Sequence, residues 1–254
     1  MKLLIQNQIA YTYRTKSKVA RHLTRYKHWF QFDDGEAHNK TLAISIFRNP
    51  YYWTRAMVSI PHHSPMHIGL DWKTFVTTPW AMPRVGKDLN ITNMNGRICQ
   101  DRFYYNEVIS CIKRPYPDHY FDTRTKPKYS GHQPYYELKH DGSGEPYDSI
   151  IDLRTAKIMN FFEMINYSFV DDYWPMRYEE LLRYGTSGLL QRIENATGVR
   201  AKCKPYQSHV KEKRGLESEF IDWMNEHLDW NVEALIGYNK VANASEISNS
   251  PWFV

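Results

Sequence analysis

Seven consecutive residues, Thr41-Leu42-Ala43-Ile44-Ser45-Ile46-Phe47, run almost unbroken in apolar and small side chains and stop at Arg48-Asn49-Pro50. A short apolar run of this kind, rich in β-branched and aromatic residues and closed by a turn signal, predicts a strand buried on both faces, as in a parallel sheet. Parallel strands need long crossovers, usually helical, so the run commits the chain to an α/β arrangement. Pro50 is suited to the first turn of a helix because its missing N–H is not needed there, and Tyr51 to Ser59 reads as that helix.

The flanking sequence continues the alternation. Leu3 to Tyr13 reads as a strand, followed by the basic turn Arg14-Thr15-Lys16-Ser17-Lys18 and a short helical stretch, Val19 to Tyr26. Ile150 to Ile165 has helical spacing, with Ile150, Leu153, Ile158, Phe161, Phe162 and Ile165 on one side. Ser168 to Arg177 is strand-like, and Glu179 to Thr197 is helical, with Gly198 placed to end it. Glu217 to Gly237 reads as a last helical region whose apolar members include Trp223, Leu228, Trp230, Val232, Leu235 and Ile236. Pro61 to Gly144 lacks periodicity and is rich in Pro, His, Tyr and Asn, the mark of functional loop inside a domain. The expectation is one domain spanning 1–254, with no internal repeat.

Charge and cysteine content narrow the function classes. With 33 Lys and Arg against 28 Asp and Glu, the net charge is +5, which suits a polyanionic ligand without choosing among nucleotide, nucleic acid and sulfated glycan. The three cysteines, Cys99, Cys111 and Cys203, are an odd count without zinc spacing, so reduced thiols and no metal are expected. His62, His63 and His67 lack an acidic or cysteine partner at ligand spacing. No run of 18 apolar residues is present, and Met1 to Gln6 turns polar too soon for a signal peptide. A cytoplasmic protein with no stable membrane insertion is therefore expected. The glycosylation triplets at Asn39, Asn90, Asn166, Asn195 and Asn243 keep the lumen of the secretory pathway as the alternative, should the N-terminus be incomplete.

Three basic segments have the chemistry to hold an anion. Arg14-Thr15-Lys16-Ser17-Lys18 lies between strand and helix, where free amides, cations and hydroxyls converge. Arg48 ends the best strand, and ligands of open α/β sheets bind beyond the carboxyl ends of strands. Lys213-Arg214-Gly215 places a glycine beside two cations, which lets backbone approach an anion closely. Each also has a plain reading as exposed charge on a solvated face.

In this order the segments resemble the sulfotransferase family. The segment TLAISIFRNPYYWTRAM looks like the family's strand–Arg–helix motif, in which the arginine binds the 3′-phosphate of the donor. Lys27-His28, the histidine 20 residues before Arg48, matches the family's pair at the end of the preceding strand, where the histidine is the general base. MRYEELL, containing Tyr178, is similar to the family's strand-ending Tyr-Glu segment, and Lys213-Arg214-Gly215 to its closing basic-Gly motif. SIIDLRTAKIMNF and EFIDWMNEHLDWNVEALIGY resemble a branch found in algae and other microbial eukaryotes. The resemblance implies a P-loop-NTPase-like, three-layer α/β domain with a central, mostly parallel sheet flanked by helices. It implies a loop-rich acceptor-side insertion at 72–146. It also implies 3′-phosphoadenylyl sulfate as donor, adenosine 3′,5′-bisphosphate as product, no metal, and a carbohydrate or small-molecule acceptor bearing a hydroxyl or amine. His28 and Lys27 would be catalytic. Arg14, Thr15, Lys16, Ser17, Lys18, Arg48, Ala56, Tyr178, Lys213, Arg214 and Gly215 would line the donor site.

Two positions depart from the family's pattern. Lys16 stands where the phosphosulfate loop has glycine, and Ala56, eight residues after Arg48, stands where a serine bonds the same phosphate. One hydrogen bond to a charged group contributes about 1.5–3 kcal/mol, so these changes weaken donor binding without abolishing it. They motivate the alternative of a catalytically impaired relative acting as a nucleotide-binding or scaffold protein. A nucleic-acid-binding protein is a third class, but the cations are dispersed and no recognition motif appears, so no nucleic-acid partner is expected.

Overall fold

The apolar run forms strand β1 (Thr41–Phe47), and it pairs in parallel with β2 (Val170–Arg177). Ala43 lies opposite Tyr173, Ile44 opposite Trp174 and Phe47 opposite Arg177, with one irregularity between Thr41 and Leu42. The computed structural model describes residues 31, 41–59, 61, 67, 69–80, 139, 147–201, 204–205, 215–243 and 246. Among these the helices are α1 (Pro50–Ser59), α2 (Trp72–Thr77), α3 (Ile150–Glu163), α4 (Tyr178–Tyr184), α5 (Ser187–Thr197), α6 (Ser218–His227) and α7 (Trp230–Leu235). The strand pair is parallel and every other main element is helical, so the α/β expectation holds.

The chain divides into two compact units, Met1–Pro50 with Ile158–Val254, and Tyr51–Lys157. The first is organised by the two faces of the strand pair. Ala43 and Tyr173 share one face and pack with Met164, Tyr167 and Phe169, against Phe161 and Phe162 of α3. Phe47 continues that face into a cluster with Ile158, Ile236 and Tyr238, and its ring lies 6.1 Å and 6.2 Å from those of Phe161 and Phe162. Trp174 takes the opposite face with Leu42, Ile44 and Met176, covered by Leu190 and Ile193 of α5. Helices thus pack on both sides of the strand pair, but the expected double burial is met on one face only: Ala43, Ser45 and Phe47 are buried, Leu42 and Ile44 are half-buried, and Ile46 is 52% exposed. Each such side chain removed from water contributes about 1.5–3 kcal/mol.

The second unit holds α2, whose first turn is capped by Asp71: its carboxylate accepts from the Thr74 amide at 3.0 Å and the Thr74 hydroxyl at 2.6 Å. Phe75 and Val76 are fully buried there. Trp80 and Tyr147 form an antiparallel bridge. Ser149 caps α3 by accepting from the amides of Ile151 and Asp152 at 3.1 Å, and donates to the Asp152 carboxylate at 2.7 Å.

Two helical regions differ from the sequence expectation. The helix expected from Glu179 to Thr197 is two helices, broken at Gly185, whose backbone (φ 69°, ψ −165°) only glycine adopts without strain. The last helical region is also two, because the Asp229 carboxylate accepts from the amides of Asn231 and Val232 at 3.0 Å and 3.2 Å and starts α7 afresh. In α6 the core is Phe220, Ile221 and Met224, whereas Trp223 and Trp230 are half-buried and Leu235 is exposed. Trp223 stacks on His227 instead, 4.0 Å between ring centres, and Trp230 donates to the Asn225 carbonyl at 3.1 Å. The expected strand Leu3 to Tyr13, the helical stretch Val19 to Tyr26 and most of 72–146 lie outside the described residues.

Gly198 ends α5 in the left-handed conformation (φ 70°), with nothing near a Cβ built upon it. Gly237 has φ 79°, and a Cβ there would stand 3.0 Å from Arg177 Nη1. Gly198→Ala is therefore expected to cost about 1–2 kcal/mol from backbone strain alone. Gly237→Ala should cost roughly 1 kcal/mol more, because the guanidinium must loosen its bond to the Gly237 carbonyl. Denaturant midpoints of the two variants test this, and equal losses would sink the steric part of the argument.

Candidate functional site

The carboxyl ends of β1 and β2 lie side by side, since Phe47 and Arg177 are register partners. The next residue on each strand bears a functional side chain. Arg48 is half-buried, and its guanidinium carbon lies 5.9 Å from the ring centre of Tyr178, the first residue of α4. Tyr178 is 39% exposed, so this ring presents one face to an arginine and keeps surface open to solvent. The structure therefore brings together two of the residues picked out in the sequence, Arg48 and Tyr178, at the carboxyl ends of the paired strands.

Directly beneath them is Glu179, 5% exposed. A carboxylate in that position needs partners to offset the loss of water. Its Oε1 accepts from the Asn49 amide at 3.0 Å, and its Oε2 accepts from the Tyr238 hydroxyl at 2.5 Å. The same hydroxyl stands 3.2 Å from the Phe47 carbonyl oxygen, so one proton serves two acceptors, with the shorter leg to Glu179. Beside this group Arg177 donates to Glu180 Oε1 from Nη2 at 2.6 Å and from Nε at 3.1 Å, and to the Gly237 carbonyl at 3.1 Å. Arg177 thus ties β2 to the turn that carries Tyr238.

The other expected site residues are distributed as follows. Gly215 is exposed, with open space where a side chain would be. Ala56 is half-buried in α1 and belongs to the second unit. Arg14, Thr15, Lys16, Ser17, Lys18, Lys27, His28, Lys213 and Arg214 lie outside the described residues, as do His62, His63 and the three cysteines. Three residues beyond His28, however, Gln31 is buried and clamped. Its amide donates to Asn160 Oδ1 at 2.7 Å and its carbonyl accepts from Asn160 Nδ2 at 2.8 Å. A side-chain amide here takes the place of a neighbouring strand, meeting both backbone groups of one residue.

Sequence reasoning passed over Asn49, Glu179 and Tyr238. Glu179 carried a signal, since an acidic residue two positions after a strand, in the first turn of the next helix, calls for partners if it is buried. Tyr238 had only its position after a glycine, and nothing short of the fold brings it to Glu179, 59 residues away in sequence.

His67, in the second unit, is 1% exposed and sits among aromatic rings, with centroids 5.8 Å from Phe75 and 4.5 Å from Trp80. Burial pushes its pKa from 6.5 down to about 4, and the Pro79 carbonyl opposes this only slightly. No hydrogen bond of ordinary geometry reaches either ring nitrogen among the described residues. Among those residues no group of three His, Cys, Asp or Glu side chains is placed to hold a metal ion, and no helix is long and apolar enough to cross a membrane.

Comparison with protein-family models, with curated proteins and with solved structures finds no match for this chain. The chemistry of the strand ends must therefore be argued from the residues themselves.

The buried histidine gives a pH dependence with a definite sign. Its folded pKa lies below its unfolded value, so the unfolded chain binds the extra proton first and stability falls as pH drops from about 6.5 to about 4. His67→Phe, which keeps a ring among Phe75 and Trp80, should flatten that part of the curve in denaturant titrations at a series of pH values. An unchanged slope in the variant would show that another group is responsible.

Proposed function

We propose that this chain is a sulfotransferase-like protein that holds 3′-phosphoadenylyl sulfate at the carboxyl ends of β1 and β2 and passes its sulfuryl group to a hydroxyl or amine. The acceptor in this reading is a carbohydrate or small molecule. The observation that carries the proposal is the placement of Arg48 at the end of a parallel strand, beside Tyr178 at the end of the next. In this reading the strand pair is the centre of a three-layer, P-loop-NTPase-like domain. The helices packed on both of its faces are consistent with that architecture.

The local chemistry favours an anion. Glu179 is the carboxylate nearest in sequence to Tyr178, and both of its oxygens are turned inward onto the Asn49 amide and the Tyr238 hydroxyl. Arg177, the neighbouring cation, is committed to Glu180 and the Gly237 carbonyl. The reading assigns the 3′-phosphate to Arg48, whose fork geometry suits phosphate oxygens. His28 would take the proton from the acceptor as its oxygen or nitrogen bonds to sulfur. The sulfur–oxygen bond to the phosphate breaks in the same step, releasing adenosine 3′,5′-bisphosphate. Lys27 and the Arg14–Lys18 turn would stabilise the charge that builds on the leaving phosphate oxygen, with Lys213, Arg214 and Gly215 closing over the 3′-phosphate.

Binding without transfer is the second reading, and the sequence favours it: Ala56 stands where the resemblance has a serine. Lys16 in the phosphate loop points the same way.

Calorimetric titration with adenosine 3′,5′-bisphosphate tests the donor site. Wild-type protein should bind it, and Arg48→Ala should weaken binding roughly 10–100-fold, the loss of one charge-assisted contact. No binding by the wild type at millimolar nucleotide would overturn the reading. Binding without desulfation of the donor across a broad acceptor panel would favour the second.

A further inference from the structure

Among the described residues, two side chains bond to the backbone on either side of Arg48. A peptide unit is planar, so the orientation of a residue's side chain follows from the two planes that flank its Cα. The plane before Arg48 contains the Phe47 carbonyl, and the Tyr238 hydroxyl is 3.2 Å from its oxygen. The plane after Arg48 contains the Asn49 amide, which donates to Glu179 Oε1 at 3.0 Å. The two holding groups are joined to each other by the 2.5 Å bond from the Tyr238 hydroxyl to Glu179 Oε2. All three contacts are buried, where hydrogen bonds are strongest and a missing partner costs most.

We propose that Glu179 and Tyr238 act as one positioning pair for Arg48, fixing the two peptide planes around it and so the direction in which its guanidinium meets an anionic ligand. This rests on the reading of Arg48 as the 3′-phosphate group of a nucleotide site, and it adds two residues that act through Arg48 rather than by touching the ligand. The geometry explains why a buried acid stands next to a proposed anion site. Glu179 is turned inward onto an amide and a phenol, and its work is done on the backbone. Arg177 supports the pair from outside, since its bond to the Gly237 carbonyl fixes the residue before Tyr238.

A double-mutant cycle on adenosine 3′,5′-bisphosphate affinity separates positioning from mere support of the fold. Tyr238→Phe keeps the ring and removes the hydroxyl. It should weaken binding roughly tenfold in the wild-type background, the loss expected when a charge-assisted contact is misaligned. In the Arg48→Ala background the same change should alter affinity less than twofold, because the residue it acts through is gone. Glu179→Ala removes both acceptors at once and should also weaken binding roughly tenfold in the wild-type background and less than twofold in the Arg48→Ala background.

Equal losses from Tyr238→Phe in both backgrounds, or no loss in either, would overturn the positioning role while leaving the nucleotide site standing. Failure of the wild type to bind would remove the nucleotide reading, and this inference with it. Each protein is read only after a cooperative melt shows it folded. Should Tyr238→Phe not fold, Glu179→Ala takes its place in the cycle, a loss confined to the background that keeps Arg48 supporting the pair and equal losses in both backgrounds, or no loss in either, overturning it.

Discussion

A carboxylate buried at a strand end loses its water and must recover the cost from the protein. Glu179 does so by drawing together three parts of the chain that are far apart in sequence: the turn after β1, the start of α4 and the residue after Gly237. The arrangement at the carboxyl ends of the strands depends on that convergence. Without Glu179 the Asn49 amide and the Tyr238 hydroxyl would both lose a buried acceptor, and the path of the chain through Arg48 would be less firmly set. Hydrophobic burial stabilises the unit but is indifferent to small rotations of a peptide plane. Directional bonds to a charged acceptor are not.

Packing provides the frame in which those bonds operate. Phe161 and Phe162 on one side and Leu190 and Ile193 on the other hold β1 and β2 in register, so their ends stop at the same level. Arg48 and Tyr178 then emerge as neighbours because each is the residue after its strand. Cation–π contact is worth about 0.5–1 kcal/mol at an exposed site, enough to bias the guanidinium but not to fix it. The stronger constraint comes from beneath, through the backbone.

The strand at Thr41–Phe47, its parallel pairing and the helix beginning at Pro50 were legible because they depend on local pattern: seven apolar or small residues, then a turn signal, then proline. The ending of α5 at Gly198 was legible for the same reason. The break at Gly185 was missed because glycine inside an apolar-periodic stretch carries no sign of its own, and its unusual backbone appears only in the fold. Asp229 was missed because the apolar pattern on either side of it runs on as though the helix did not stop. At the site, Arg48 stood out by its abrupt position after an apolar run, whereas its supports did not. Asn49 contributes a backbone amide, which every residue but proline has, and Tyr238 reaches Phe47 across 191 positions of sequence. Local pattern finds the residue that meets the ligand more readily than the residues that aim it.

The most direct test of this account is a crystal structure of the protein with adenosine 3′,5′-bisphosphate. The account predicts the 3′-phosphate at the carboxyl ends of β1 and β2, within hydrogen-bonding distance of the Arg48 guanidinium, with Glu179 still bonded to the Asn49 amide and the Tyr238 hydroxyl. A nucleotide bound away from the strand ends, or bound there with Arg48 turned aside and the Glu179 contacts broken, would contradict it.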